Sequence, residues 1–108
     1  MSDILRRLET VIAERRGADP DSSYVASLFA KGDKKIAEKV GEEAVETIVA
    51  ALSEDPKALT SEAADLLFHL LILLNEKGLS LADVEAELEA REGLSGHVEK
   101  AARTNDAD

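Results

Sequence analysis

Apolar positions recur along this chain at the three- and four-residue spacing of a helix, and nowhere with the alternation of a strand. Ile4, Leu5, Leu8, Val11 and Ile12 share one helical face, and residues 17–20, bounded by Gly17 and Pro20, end that helix. A shorter helical piece follows over about 23–31, with Val25, Leu28 and Phe29 as its apolar side and Gly32 suited to a C-terminal cap. Asp33 then reads as the N-cap of a long helix reaching about Ser53. Its apolar positions Ile36, Val40, Ala44, Ile48 and Leu52 lie four apart, and Val45 and Val49 widen the stripe. Gly41 within it costs about 1 kcal/mol relative to alanine. Close approach by another helix or a ligand would explain that glycine, and so would simple tolerance.

Asp55-Pro56 is a start signal, an N-cap followed by proline at the first helical position. That helix runs to Lys77 and stops at Gly78. Ser80 caps the next, with Asp83 three residues on in a capping-box arrangement and Leu79 and Val84 placed for a hydrophobic staple. It ends near Glu92-Gly93; residues 94–103 read as partly helical and 104–108 as a frayed tail. The expectation is one all-α domain over 1–103 with a flexible C-terminal tail. Leu66, Leu67, Leu70, Leu71, Ile72, Leu73 and Leu74 cover their helix nearly all round, so it must be surrounded. One chain of 108 residues offers few neighbours. A homodimer in which the two long helices of each copy build a four-helix core would supply them.

Composition narrows the functional classes. There is no cysteine, which removes disulfides, thiolate catalysis and Cys-ligated zinc. Thirteen basic against twenty-three acidic side chains give a net charge of −10, the opposite of the basic footprint expected for nucleic-acid binding. The N-terminus turns amphipathic at once and lacks an apolar signal core. The most apolar run, residues 66–74, is short of the roughly 20 residues of a membrane span and contains His69. A cytoplasmic protein with neither a membrane nor a nucleic-acid partner is expected.

Two acidic echoes carry the candidate chemistry, Glu43-x-x-Glu46 and Glu62-x-x-Asp65. Each pair lies three apart in predicted helix and projects from one face. Two such helices face to face would repel unless a cation sat between them, and hard divalent cations take oxygen ligands of this kind. The set lacks the Glu-x-x-His pairs of di-iron bundles and the HExxH of zinc enzymes, so it favours Mg²⁺ or Mn²⁺, ions that act on phosphates. Lys31, Lys34, Lys35 and Lys39 just precede the acidic segment and would serve a polyphosphate substrate. On pattern alone a solvated acidic face fits equally well, with Lys35 and Lys39 as helix partners of Glu38 and Glu42. His69, four residues after Asp65, reads as a structural histidine held by that aspartate.

With these segments in view, the chain resembles the phosphoribosyl-ATP pyrophosphatases of histidine biosynthesis, within the all-α MazG-like nucleoside triphosphate pyrophosphohydrolases. The wider group's ExxE and ExxD are matched by Glu43/Glu46 and Glu62/Asp65. The narrower family is matched by Ser23-Tyr24, Leu28-Phe29-Ala30-Lys31-Gly32, Lys35-Ile36, Lys39-Val40-Gly41-Glu42-Glu43-Ala44, Asp65-Leu66-Leu67-Phe68-His69-Leu70 and Ser95-Gly96-His97-Val98-Glu99-Lys100. The resemblance covers about residues 2–103. It implies a four-helix-bundle-type core completed by homodimerisation, and Mg²⁺-dependent cleavage of phosphoribosyl-ATP to phosphoribosyl-AMP and pyrophosphate. It also implies a stand-alone enzyme, since some relatives are fused to a cyclohydrolase for which this chain has no room. Carried over residue by residue, it makes Glu43, Glu46, Glu62 and Asp65 the Mg²⁺ ligands, with Mn²⁺ as a substitute. Glu42 becomes a further ligand or the carboxylate that orients and deprotonates water attacking between the α- and β-phosphates. Lys31, Lys35, Lys39 and Lys100 become phosphate contacts, with Arg91 and Arg103 as outer candidates, though an ordinary surface charge also fits each lysine. Tyr24 either stacks on adenine or ribose or is a half-buried core tyrosine. The nearest rival is a MazG-like enzyme clearing surplus or damaged (d)NTPs with the same carboxylates. The rival of another class is a non-catalytic helical dimer with an acidic surface.

Overall fold

The computed structural model describes residues 3–92, which fold as five helices without a strand among them: α1 (Asp3–Arg15), α2 (Tyr24–Lys31), α3 (Asp33–Leu52), α4 (Pro56–Glu76) and α5 (Leu81–Arg91). The expected helical stretch 94–103 and tail 104–108, with Lys100 and Arg103, lie outside the described residues.

Most helix ends follow from local chemistry. The Ser23 hydroxyl accepts from Ala26 N at 3.1 Å and opens α2. Asp55 accepts from Lys57 N at 3.0 Å ahead of Pro56. Ser80 and Asp83 form the reciprocal capping box of α5. At the end of α4, Leu79 N donates to Leu74 O at 2.8 Å and Gly78 N to Asn75 O at 3.1 Å, while Gly78 takes φ +75°. This is a Schellman ending, and it needs the left-handed conformation that glycine adopts freely.

The start of α3 departs from expectation. Its N-cap is Gly32, at φ +90° and ψ −173°, so Asp33 is already helical. Gly32 also closes α2, its N–H reaching Leu28 O at 3.1 Å. One residue thus serves both helices. The Asp33 carboxylate, released from capping, accepts from Lys77 Nζ at 2.8 Å across the fold. Gly41 does not mark a close approach: a Cβ added there would meet nothing within 4 Å. The helix tolerates it on an exposed face.

α3 and α4, joined only by residues 53–55, form a helical hairpin with the most extensive contact in the fold. α1 packs on α4 and α2, and α2 packs on α3. The core gathers Ile12, Val25, Leu28, Ile36, Leu71, Ile72 and Leu81 from all five helices. Polar contacts fasten α1 to distant parts of the chain. Arg16 lies 4.5 Å over the Phe29 ring and donates to Asn75 at 3.0 Å and Glu76 at 2.8 Å. Glu9 accepts from Leu81 N at 2.7 Å at the start of α5, and Arg6 pairs with Glu85.

The apolar stripe of α3 divides in two. Ile36 is buried and Val40 and Ala44 are half-buried, but Val45, Ile48, Val49 and Leu52 are exposed. α4 buries Leu71 and Ile72 yet leaves Leu67 and Leu70 open. By length and composition α4 could cross a membrane, because leucines and alanines extend the nine-residue apolar run. It instead carries Glu62, Asp65 and His69 into a polar cluster beside α2 and α3.

Candidate metal centre between two helices

The α3–α4 hairpin sets the acidic echoes against one another. Oxygens of Glu43, Glu62 and Asp65 all lie within 4.8 Å of each other. Glu43 is only 7% exposed, Glu62 is half-buried and Asp65 is exposed. Glu46, one turn on from Glu43, is outside this trio but close enough to act on it electrostatically. Burial pushes the Glu43 carboxyl above its ordinary range, and the neighbouring Glu46 carboxylate adds to the rise. Burial also raises Glu62, again with Glu46 beside it. Glu43 Oε2 and Glu62 Oε2 are both buried without a hydrogen-bond partner among the described residues.

An unpartnered buried carboxylate oxygen carries a desolvation penalty, and two of them side by side add repulsion. Protonation relieves this, and so does a cation. An all-oxygen donor set with two unused oxygens fits a hard divalent ion held by a few carboxylates and its own waters.

Other predicted residues divide by position. Lys39 Nζ lies 3.2 Å from Glu42 Oε2 and 3.7 Å from Glu43 Oε1, at the edge of the cluster. That pairing holds the Glu42 carboxyl below its ordinary range and raises the Lys39 ammonium. Glu42 itself is exposed and stands outside the trio. Lys35 pairs with Glu38 at 3.5 Å, an i,i+3 helix contact, and Arg91 with Glu87 at 3.1 Å. Lys31 ends α2 on an exposed face.

Tyr24 is tied to the site by a contact that the sequence does not reveal. Its hydroxyl lies 2.6 Å from His69 Nε2, and His69 Nδ1 lies 2.7 Å from the Asp65 carbonyl oxygen. A carbonyl only accepts, so Nδ1 carries a proton; where that is the ring's single proton, Nε2 accepts from the tyrosine hydroxyl. His69 is thus held by the Asp65 backbone and Tyr24, not by the Asp65 carboxylate that the spacing suggests. The Tyr24 ring remains about half exposed and meets His69 edge-on at 5.7 Å. Burial raises the Tyr24 pKa, Lys39 opposes the rise, and Glu43, Asp65 and Glu42 add to it, which places the hydroxyl in the field of the carboxylates.

Sequence reasoning also missed Thr47. Its Oγ1 lies 2.7 Å from Glu43 O and 3.2 Å from Glu62 O, joining the backbones of two cluster carboxylates. The available signal was a hydroxyl four residues after Glu43, the spacing at which threonine bonds back along a helix.

Fold and site together define the class: an all-α protein of the MazG-like kind, with an acidic cluster between its two longest helices. Residues 5–92 match the family model of phosphoribosyl-ATP pyrophosphohydrolase. Curated relatives agree over nearly their whole length. A phosphoribosyl-ATP pyrophosphatase of Rhizorhabdus wittichii is 62% identical over 103 residues, covering 95% of this chain and 97% of the relative. One of Zymomonas mobilis is 60% identical over 101 residues, 94% of each chain. One of Erythrobacter litoralis is 64% identical over 99 residues, 92% of this chain and 95% of the relative. The chain belongs to the phosphoribosyl-ATP pyrophosphohydrolase family.

Proposed function

We propose that this chain hydrolyses phosphoribosyl-ATP to phosphoribosyl-AMP and pyrophosphate, the second step of histidine biosynthesis, with Mg²⁺ held by Glu43, Glu46, Glu62 and Asp65. The observation that carries the reading is the pair of buried, unpartnered oxygens on Glu43 and Glu62, in a chain of this family. When bound, a divalent ion there supplies positive charge to phosphate oxygens and makes a water easier to deprotonate; Mn²⁺ meets the same donor chemistry.

The chain's own groups then have distinct tasks. Glu43 and Glu62 are fixed by burial, Asp65 reaches in from the exposed rim, and Glu46 closes the set. Glu42, kept ionised by Lys39, orients the attacking water and accepts its proton at the α–β linkage. Its lowered pKa makes it a weak base, so orientation is its larger contribution. Lys39 turns from Glu42 and Glu43 to a phosphate oxygen when substrate arrives, and Lys31, Lys35 and Lys100 are further phosphate contacts. The exposed Tyr24 ring meets adenine or ribose, while its hydroxyl stays anchored on His69. The open apolar face of α3 is covered by a second copy, giving a homodimer that works in the cytoplasm.

The test is to incubate purified protein with phosphoribosyl-ATP, and separately with each common NTP and dNTP, with and without Mg²⁺. Cleavage confined to phosphoribosyl-ATP and dependent on Mg²⁺ is expected. Cleavage of the ordinary nucleotides instead moves the protein to a (d)NTP-clearing role at the same site. No cleavage of any of them overturns the enzymatic reading.

A further inference from the structure

We infer that Thr47 is a positioning residue for the metal centre, its hydroxyl setting the spacing between the helix backbones that carry Glu43 and Glu62. The inference rests on the metal reading above. Thr47 is half-buried in α3, facing α4. Its single hydroxyl proton is shared between Glu43 O at 2.7 Å, four residues back, and Glu62 O at 3.2 Å on the opposite helix. A carbonyl in a helix keeps a second lone pair, so both acceptors are available.

Apolar packing at this level of the hairpin comes from small or half-buried side chains, Ala44 and Ala50 on α3 and Ala63 and Leu66 on α4. Residues 45, 48, 49 and 52 of α3 are exposed, and the large buried side chains of α4, Leu71 and Ile72, lie two turns or more past Glu62. The carboxylates themselves push apart, since oxygens of Glu43, Glu62 and Asp65 crowd within 4.8 Å of one another. The Thr47 hydroxyl opposes that separation. It bonds to the main chain of the two residues whose side-chain oxygens are left unpartnered. Partners that hydrogen-bond the ligating side chains themselves typically contribute roughly 10–100-fold to metal affinity, and a backbone partner acting through ligand spacing belongs at the lower end of that range.

The experiment is calorimetric titration of Mg²⁺, and in parallel Mn²⁺, into substrate-free protein, together with thermal melts in EDTA. Thr47→Val keeps the shape and removes the hydroxyl; Thr47→Ala does the same with less packing; Thr47→Ser keeps the hydroxyl. Valine and alanine variants are expected to bind Mg²⁺ about tenfold more weakly, and the serine variant as the wild type does. The valine variant's melting temperature in EDTA is expected to fall modestly, while the gain in melting temperature on adding Mg²⁺ shrinks below that of the wild type and of the serine variant, which a purely structural role would leave unchanged. Wild-type affinity in the valine or alanine variant overturns the inference, as does a serine variant as weak as valine. Absence of metal binding by the wild type overturns the metal reading itself, and so is distinguished from failure of the threonine's role.

Discussion

The apolar face of α3 gives a prediction that can be worked through in numbers. Val45, Ile48, Val49 and Leu52 are 59, 60, 61 and 80% exposed. Together they amount to about two and a half open aliphatic side chains, each worth about 1.5–3 kcal/mol when buried. Covering them on two copies releases about 8–16 kcal/mol, against a cost of association of roughly 4–15 kcal/mol. Leu67 and Leu70 of α4, also open, add to the favourable side. Replacing Ile48 and Leu52 by aspartate removes a little over half of the α3 contribution, about 4–8 kcal/mol over both copies. At 1.4 kcal/mol per factor of ten, this weakens self-association by at least about a thousandfold. The assay is sedimentation equilibrium at micromolar concentration, with circular dichroism to confirm that helix content is kept. The wild type should sediment as a dimer and the Ile48→Asp, Leu52→Asp variant as a folded monomer. A wild type that stays monomeric refutes the reasoning, and so does a double variant that dimerises unchanged.

Three further outcomes are expected. Asp65→Asn should lose Mg²⁺-dependent turnover while keeping its helical circular dichroism; retained turnover removes Asp65 from the metal set. In metal-free protein, the raised pKa values of Glu43 and Glu62 mean that the folded state keeps protons that the unfolded chain releases above its ordinary 4.5. Their contribution to stability is thus full below that value and lost as pH rises through the folded values, so in EDTA Glu43→Gln should outlast the wild type at neutral pH and converge with it near pH 4.5; parallel melting curves across that range contradict this. Ile72→Ala, at a fully buried position meeting the core, should cost about 2–5 kcal/mol in urea denaturation.

Sequence alone made those features legible that depend on near neighbours in the chain. The Asp55-Pro56 start, the Ser80/Asp83 box and the Gly78 stop all act within four or five residues, and each appears in the fold. Asp33 failed as a cap because Gly32, free to adopt φ +90°, serves both adjoining helices, and no local pattern distinguishes that arrangement. The acidic echoes were visible as spacings, but helix rotation decides which carboxylates converge. It brings Glu43, Glu62 and Asp65 within 4.8 Å and leaves Glu46 at the margin. Tyr24 and His69 are 45 positions apart and Thr47 and Glu62 are 15 apart, so only packing could pair them.

The fastenings of α1 bear on the order in which the molecule assembles. Arg16 finds its partners 59 and 60 positions away, and Glu9 finds Leu81 72 positions away. α3 and α4 meet across a link of three residues, 53–55. Closing a short loop sacrifices less chain entropy than closing a long one, and contacts near in sequence form early. The acidic hairpin should therefore be in place in the folding transition state, with Arg16 and Glu9 locking afterwards. Stopped-flow kinetics should show Arg16→Ala mainly accelerating unfolding and Ala50→Gly in α3 mainly slowing folding; the reverse pattern would place closure of α1 first. On this order, a nascent chain holds its carboxylates together before the rest of the protein has closed around them.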